Sequence, residues 1–345
     1  MAENPETRLR PAGPTGTGPV VHVTLCEMLP AQAASAAHTD RAGLSRGLSD
    51  WLRSHDLLES REIVRMLESG LIPEQEAAAF PGCRHGADAE LLCQWLLFSQ
   101  SFDDRFDSPP LSTDPELARQ AIRPCLEVLE TARAGQPGPG PLSTPWAMAF
   151  ADWLARACQS MGPAWISCLI SELEAWMRAY VAESAHRAHR YILSPRDLIA
   201  HKRRCMADTP NALLIERTAS GELSPLARDI LRPITETSSD IAGAVNDLVS
   251  LNREQQLGDV HNLVLSFMRH EQASRADAVK KVEHLVTIWT MELSQLIKTL
   301  LADPALHDEY EVTSRWAALR CAFIRGYHDW TLQTGRYDAP GDAGQ

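Results

Sequence analysis

Apolar residues recur every three or four positions along most of this 345-residue chain, the period of helices with one buried face. The pattern predicts helices over residues 46–70, 85–106, 146–160, 163–190, 195–205, 209–217, 224–256, 259–270, 274–302 and 309–334. Asp114 followed by Pro115 reads as an N-cap and first-turn proline, opening a further helix through Glu130. The segment AGQPGPGPLSTP, 134–145, is too dense in proline and glycine for regular structure and reads as a surface loop. Strand-like alternation is nearly absent, so the fold class is all-α, a helical bundle. Residues 1–20, rich in Pro, Gly and Thr, read as a disordered tail. Nothing divides the rest into halves, and one domain is expected over 21–338, with a flexible tail over 339–345.

Composition narrows the function. With 33 basic against 45 acidic residues, the chain does not read as a nucleic-acid binder. No apolar run approaches the roughly 18 residues of a membrane span, and no signal peptide opens the sequence. The eight cysteines show no CxxC or paired spacing. Cys93, Cys158 and Cys168 sit in apolar runs as small core residues, which fits a reducing cytoplasm. His22, His85, His186, His189 and the other histidines show no HExxH or comparable spacing, which argues against a histidine-zinc enzyme.

Two acidic patterns carry the candidate chemistry. Asp103, Asp104 and Asp107, in DDRFD, hold the only Asp-Asp pair in the chain and follow the apolar run LLCQWLLFSQSF. Their spacing gathers carboxylates on a helical face that should continue into the interior, where unpaired charge is costly. In NDLVSLNRE, Asn246, Ser250 and Glu254 recur every fourth residue and form one stripe of amide, hydroxyl and carboxylate. These are the hard oxygen ligands that Mg2+ prefers. Each pattern alone is most often a wet helix face, but two of them suggest a metal site between facing helices.

Together the motifs resemble those of the bacterial class I terpene synthases (terpene cyclases), from about Phe80 to Tyr337. That family's aspartate-rich motif is matched by Asp103 to Asp107, and its Asn-Asp-x-x-Ser-x-x-basic-Glu motif by Asn246, Asp247, Ser250, Arg253 and Glu254. Its C-terminal Arg-Tyr pair looks like Arg336 and Tyr337, a few residues after Trp330. A gapless match over ILSPRDLIAHKRRCMADTPNALLIE places the family's diphosphate-sensing arginine at Arg203. Two departures stand in that segment, Ala207 (after Met206) for the family's glycine and Leu198 for its tyrosine.

The resemblance implies helices around a central apolar cavity, and Mg2+, three ions, held by Asp103, Asp104, Asp107, Asn246, Ser250 and Glu254. It implies a prenyl diphosphate substrate bound by Arg203, Arg253, Arg336 and Tyr337, with Asp103, Arg203, Arg336 and Tyr337 catalytic. Arginine suits the task because its fork grips phosphate oxygens and its charge does not titrate away. Phe98, Phe102 and Trp330 are the aromatics expected at the cavity to face a carbocation, although aromatics at helical spacing are more often core packing. Farnesyl diphosphate is the first expectation, geranylgeranyl diphosphate the second, and a homodimer is left open. Before ligands bind, the two carboxylate helices are expected to repel and hold the mouth open. A chain-elongating prenyltransferase would have two aspartate-rich motifs, and a protonation-initiated cyclase a DxDD run that is absent. A non-catalytic helical interaction protein is the other rival.

Overall fold

The computed structural model describes residues 19–29, 40–69, 71–135 and 138–337. The expected tails fall outside these residues, except that Pro19 and Val20 begin a helix. Among the described residues there is no strand. The α-helices run α1 (Pro19–Met28), α2 (Arg41–Ser54), α3 (Arg61–Ser69), α4 (Ile72–Ala79), α5 (Gly86–Phe106), α6 (Pro115–Arg133) and α7 (Pro145–Cys158). They continue as α8 (Pro163–Ala188), α9 (Pro195–Cys205), α10 (Asp208–Ile215), α11 (Pro225–Leu257), α12 (Leu263–His270), α13 (Arg275–Leu300) and α14 (Tyr310–Thr331). No helix among them is long and apolar enough to cross a membrane.

Local chemistry sets most helix starts. Asp114, Thr144, Ser194 and Ser224 each accept a backbone N–H with their side chain, and each is followed by proline at the first helical position. The end of α11 is Gly258 at φ 71°, the left-handed stop that glycine adopts without a Cβ penalty. Two expected helices are shorter than the apolar pattern suggested. The 46–70 span breaks after Ser54, where Ser54 Oγ and His55 Nδ1 both donate to the Trp51 carbonyl at 2.8 Å. Those side chains take over the acceptor that would continue the helix, and Asp56 turns to φ 55°. Residues 259–262 are not helical either: Asp259 Oδ1 accepts the Val260 and His261 N–H groups, and Asn262 caps α12.

A single contiguous buried cluster extends from Val21 to Ile324. Buried indoles tie its helices together through directed hydrogen bonds. Trp165 and Trp316 donate to the Leu213 and Ala212 carbonyls of α10, Trp176 to Cys205 at the end of α9, and Trp95 to Asn211 Oδ1 at 2.8 Å. These bonds fix the short α10, which enters a π-helical turn at Glu216–Ser220. Its first residue, Asp208, pairs at 2.5 Å with Arg320, a fully buried side chain of α14.

Helix α14 lies close against α4 because position 326 has no side chain. A Cβ there would stand 2.0 Å from the Ala78 carbonyl oxygen and 2.6 Å from the Ala79 nitrogen. Backbone cannot yield as a side-chain tip can. Gly326→Ala is therefore expected to destabilise the protein by about 3 kcal/mol, the upper end of overpacking costs, read from the urea midpoint. An unchanged midpoint would show that α4 is free to retreat.

Candidate active site

Helices α5, α8, α9, α10, α11 and α14 and the turn Gly335–Tyr337 surround one cavity. Asp103 of α5, Asp107 at its C-cap, and Asn246 and Glu254 of α11 line it. Helix geometry gives the cavity a polar and an apolar end. Leu96 precedes Asp103 by seven residues, about 10 Å along the helix axis, while Ala242 and Phe323 lie a turn deeper than Asn246 and Tyr327. The lining is thus charged at the mouth and includes apolar side chains deeper in, with Gln75, Ser99 and Asn211 adding polar groups.

Every aspartate of DDRFD has a cation. Asp103 accepts from Arg336 Nη2 at 2.6 Å and from the Tyr180 hydroxyl at 3.0 Å. Asp104, 1% exposed, is bound by Arg65, by Arg336 at 3.0 Å and by Arg253 at 3.2 Å. Burial opposes its charge, but Arg336, Arg253 and Arg65 together outweigh burial and hold the carboxyl below the usual range. Asp107 takes Arg187 Nη2 at 2.6 Å, and the same nitrogen reaches Asp259 at 3.1 Å. The expected repulsion between acidic helices is therefore offset in part by protein arginines, and the Arg253–Asp104 pair draws α11 toward α5.

On α11, Asn246 Nδ2 donates to the hydroxyls of Tyr327 at 3.0 Å and Tyr337 at 3.1 Å, which leaves its side-chain Oδ1 for other partners. Glu254 Oε2 accepts from Asn262 Nδ2 at 2.8 Å. Burial, then the nearby Asp247 and Asp259 carboxylates, push Glu254 up to about 8. Asp247 itself is fully buried and pairs with Lys202. All four motif residues at the mouth offer hard oxygen atoms from two facing helices, a donor set that fits a divalent cation.

The terpene synthase family 2 C-terminal metal-binding model matches residues 94–291, which contain both acidic motifs. The R-linalool synthase of Streptomyces clavuligerus is 30% identical over 302 residues, covering 86% of this chain and 89% of that protein. This chain belongs to the bacterial class I terpene synthases. It is accordingly an enzyme of that lyase class, and the family supports conversion of prenyl diphosphates to terpenes with use of a divalent metal. A β-caryophyllene synthase of Saccharothrix espanaensis, described as cyclising (2E,6E)-farnesyl diphosphate, is 26% identical over 88% of this chain and 86% of its own. The crystal structure of a linalool/nerolidol synthase from S. clavuligerus with 2-fluorogeranyl diphosphate superposes with a TM-score of 0.74 at 27% identity, covering 88% of this chain and 97% of that one.

Within this terpene synthase several sequence-predicted residues lie elsewhere than expected. Phe98 and Phe102 do not line the cavity. Phe98 stacks on Phe150 with ring centroids 5.3 Å apart, and Phe102 on Phe106 at 4.5 Å, within the core. Arg203 points outward to Asp240 at 2.7 Å and Glu236 at 2.8 Å, and reaches the cavity only by leaving both. Its neighbour Lys202 lines the cavity instead. Asp104 and Arg253 are paired behind the lining, and Ser250 is buried with its hydroxyl donating to the Asn246 carbonyl at 2.6 Å. Trp330, Arg336 and Tyr337 do line the cavity.

The helix break at position 207 forms without the family's glycine. Ala207 adopts φ 54°, ψ 19°, a left-handed conformation costing an L-residue roughly 1–2 kcal/mol, and it lines the cavity. Sequence reasoning missed the cavity aromatics Trp176, Tyr180, Phe323 and Tyr327, and the charged residues Glu183, Arg187 and Asp259. A signal for the last group existed: Glu183 and Arg187 are four apart on one helix, close enough to pair.

A proton on Glu254 competes with metal. Below about 8 the carboxyl is protonated, and a cation binding there must expel that proton. Mg2+ affinity should therefore rise as pH increases from 6 to 8, and Glu254→Gln should flatten the rise. Calorimetric titrations at several pH values check this; a wild-type affinity independent of pH would contradict it.

Proposed function

We propose that this terpene synthase ionises farnesyl diphosphate and closes the resulting allylic cation into a sesquiterpene, with geranylgeranyl diphosphate the second candidate. The observation that carries the reading is the shared cavity: Asp103 and Asp107 face Asn246 and Glu254 at a polar mouth, with Trp176, Phe323 and Trp330 among the lining. The farnesyl preference draws on the Saccharothrix relative, since nothing in the lining alone sets chain length.

Bound Mg2+, three ions on this reading, supplies the positive charge that stabilises the departing diphosphate. The chain's own residues do the rest. Arg336 and Tyr337 lie beside the motif residues and can turn their N–H and O–H donors to diphosphate oxygens. The carbon–oxygen bond breaks with its electron pair leaving on diphosphate. Faces of Trp176, Phe323 and Trp330 can then stabilise the allylic cation without bonding to it. Exclusion of water from the deep end prevents early capture. Loss of a proton gives a hydrocarbon, and late capture of water an alcohol.

The test is incubation of the purified protein with C10, C15 and C20 prenyl diphosphates, measuring diphosphate release and products with and without Mg2+. A Mg2+-dependent terpene, greatest from the C15 substrate, is expected. Longer prenyl diphosphates formed on adding isopentenyl diphosphate would favour the chain-elongating rival, and no turnover of any substrate the non-catalytic one. Asn246→Ala and Glu254→Ala should each lower kcat by about a hundredfold or more while the helical circular dichroism stays unchanged. Wild-type turnover from both would remove α11 from the metal site.

A further inference from the structure

Three histidines converge beside the acidic mouth, where His261 lines the cavity. His186 comes from the last turn of α8, His201 from α9, and His261 from the segment joining α11 to α12. One ring nitrogen from each lies within 4.8 Å of the other two. His186 Nδ1 and His261 Nε2 face each other at 3.0 Å, and the three ring centroids are 5.2–5.6 Å apart.

Carboxylates orient two of the rings. His261 Nδ1 donates to Asp259 Oδ1 at 3.3 Å, which leaves Nε2 bare and aimed at the cluster. His201 Nε2 donates to Glu183 Oε1 at 3.1 Å. Carboxylate–histidine pairs of this kind fix the tautomer and raise the basicity of metal-binding imidazoles. His186 turns its Nδ1 toward His261 Nε2, so its ring faces the other two.

We propose that His186, His201 and His261 form a second metal site, for a zinc-class divalent transition ion, separate from the oxygen-lined site at the mouth. Donor chemistry separates the two. Imidazole suits Zn2+ and its transition-metal neighbours, whereas Mg2+ takes oxygen and parts with water reluctantly. Charge also favours occupancy: Glu183 and Asp259 flank the cluster and share Arg187 with Asp107, so the carboxylates around the cluster can accommodate a further cation. In the metal-free protein a single proton between His186 and His261 satisfies that pair, and the ion replaces it. The three ligands arise on separate segments, so the ion would pin α8, α9 and the α11–α12 connection together. It would thereby fix Asp259, which holds Arg187 against Asp107.

The full-length protein, stripped by chelator, is equilibrated with Zn2+ in a large excess of Mg2+, and metal is counted after gel filtration. About one zinc per chain should be retained, and Co2+ in its place should give the intense visible absorption of a tetrahedral nitrogen site. His186→Ala, His201→Ala and His261→Ala should each lose the retained zinc and the Co2+ band. Asp103→Asn should keep both. Circular dichroism identifies any variant that fails to fold, and the wild-type Co2+ spectrum stands independently of the variants. No retained zinc, an octahedral Co2+ spectrum, or zinc lost from Asp103→Asn but kept by folded histidine variants would each overturn the proposal.

Discussion

Carboxylates crowded at the mouth of a buried cavity must be compensated, and the structure around the site depends on how that is done. Asp103, Asp104, Asp107, Glu183, Asp247, Glu254 and Asp259 meet five fixed cations, Arg65, Arg187, Lys202, Arg253 and Arg336. The cations fall two short of the acids. Part of the deficit is met by the proton retained on Glu254, whose carboxyl is pushed to about 8. Divalent cations would meet the rest. Because breaking a buried pair costs several kcal/mol, the arginines also act as struts: Arg253 joins α11 to α5, and Arg336 joins the C-terminal turn to both Asp103 and Asp104.

The same arrangement shows why the site can exist before its ligands arrive. Arg336 and Tyr337 are engaged with the motif residues, Arg336 through the aspartates and Tyr337 through Asn246. Metal ions that take over the carboxylates would free Arg336 to meet a diphosphate. On that account ligand binding exchanges partners within a preformed set rather than closing an open mouth against repulsion.

Helices were legible in the sequence wherever a cap and proline accompanied the apolar period, as at Thr144-Pro145, Ser194-Pro195 and Ser224-Pro225. Breaks caused by side chains claiming a carbonyl, as Ser54 and His55 do, leave no mark in that period. At the site, the motifs give residue types, but only the helix rotation decides which of them meet the cavity. On α5 and its C-cap the lining follows Leu96, Ser99, Gln100, Asp103 and Asp107, one stripe of the helix. Phe98 and Phe102 each lie two residues on from a lining position, about 200° round the helix, and so face the core. One residue, about 100°, likewise separates outward Arg203 from inward Lys202, and Asp104 from Asp103. The histidine cluster was invisible because its members come from three segments brought together only by the fold.

On this reading the mouth carries a deficit of positive charge that cations must fill before it can hold a diphosphate. Calorimetric titration of inorganic pyrophosphate into the protein, with Mg2+ present and absent at equal ionic strength, tests it most directly. Binding should be about tenfold tighter or more with Mg2+, equivalent to some 1.4 kcal/mol. Equal affinity in its absence would mean that the arginines alone form the anion site, and would contradict the claim.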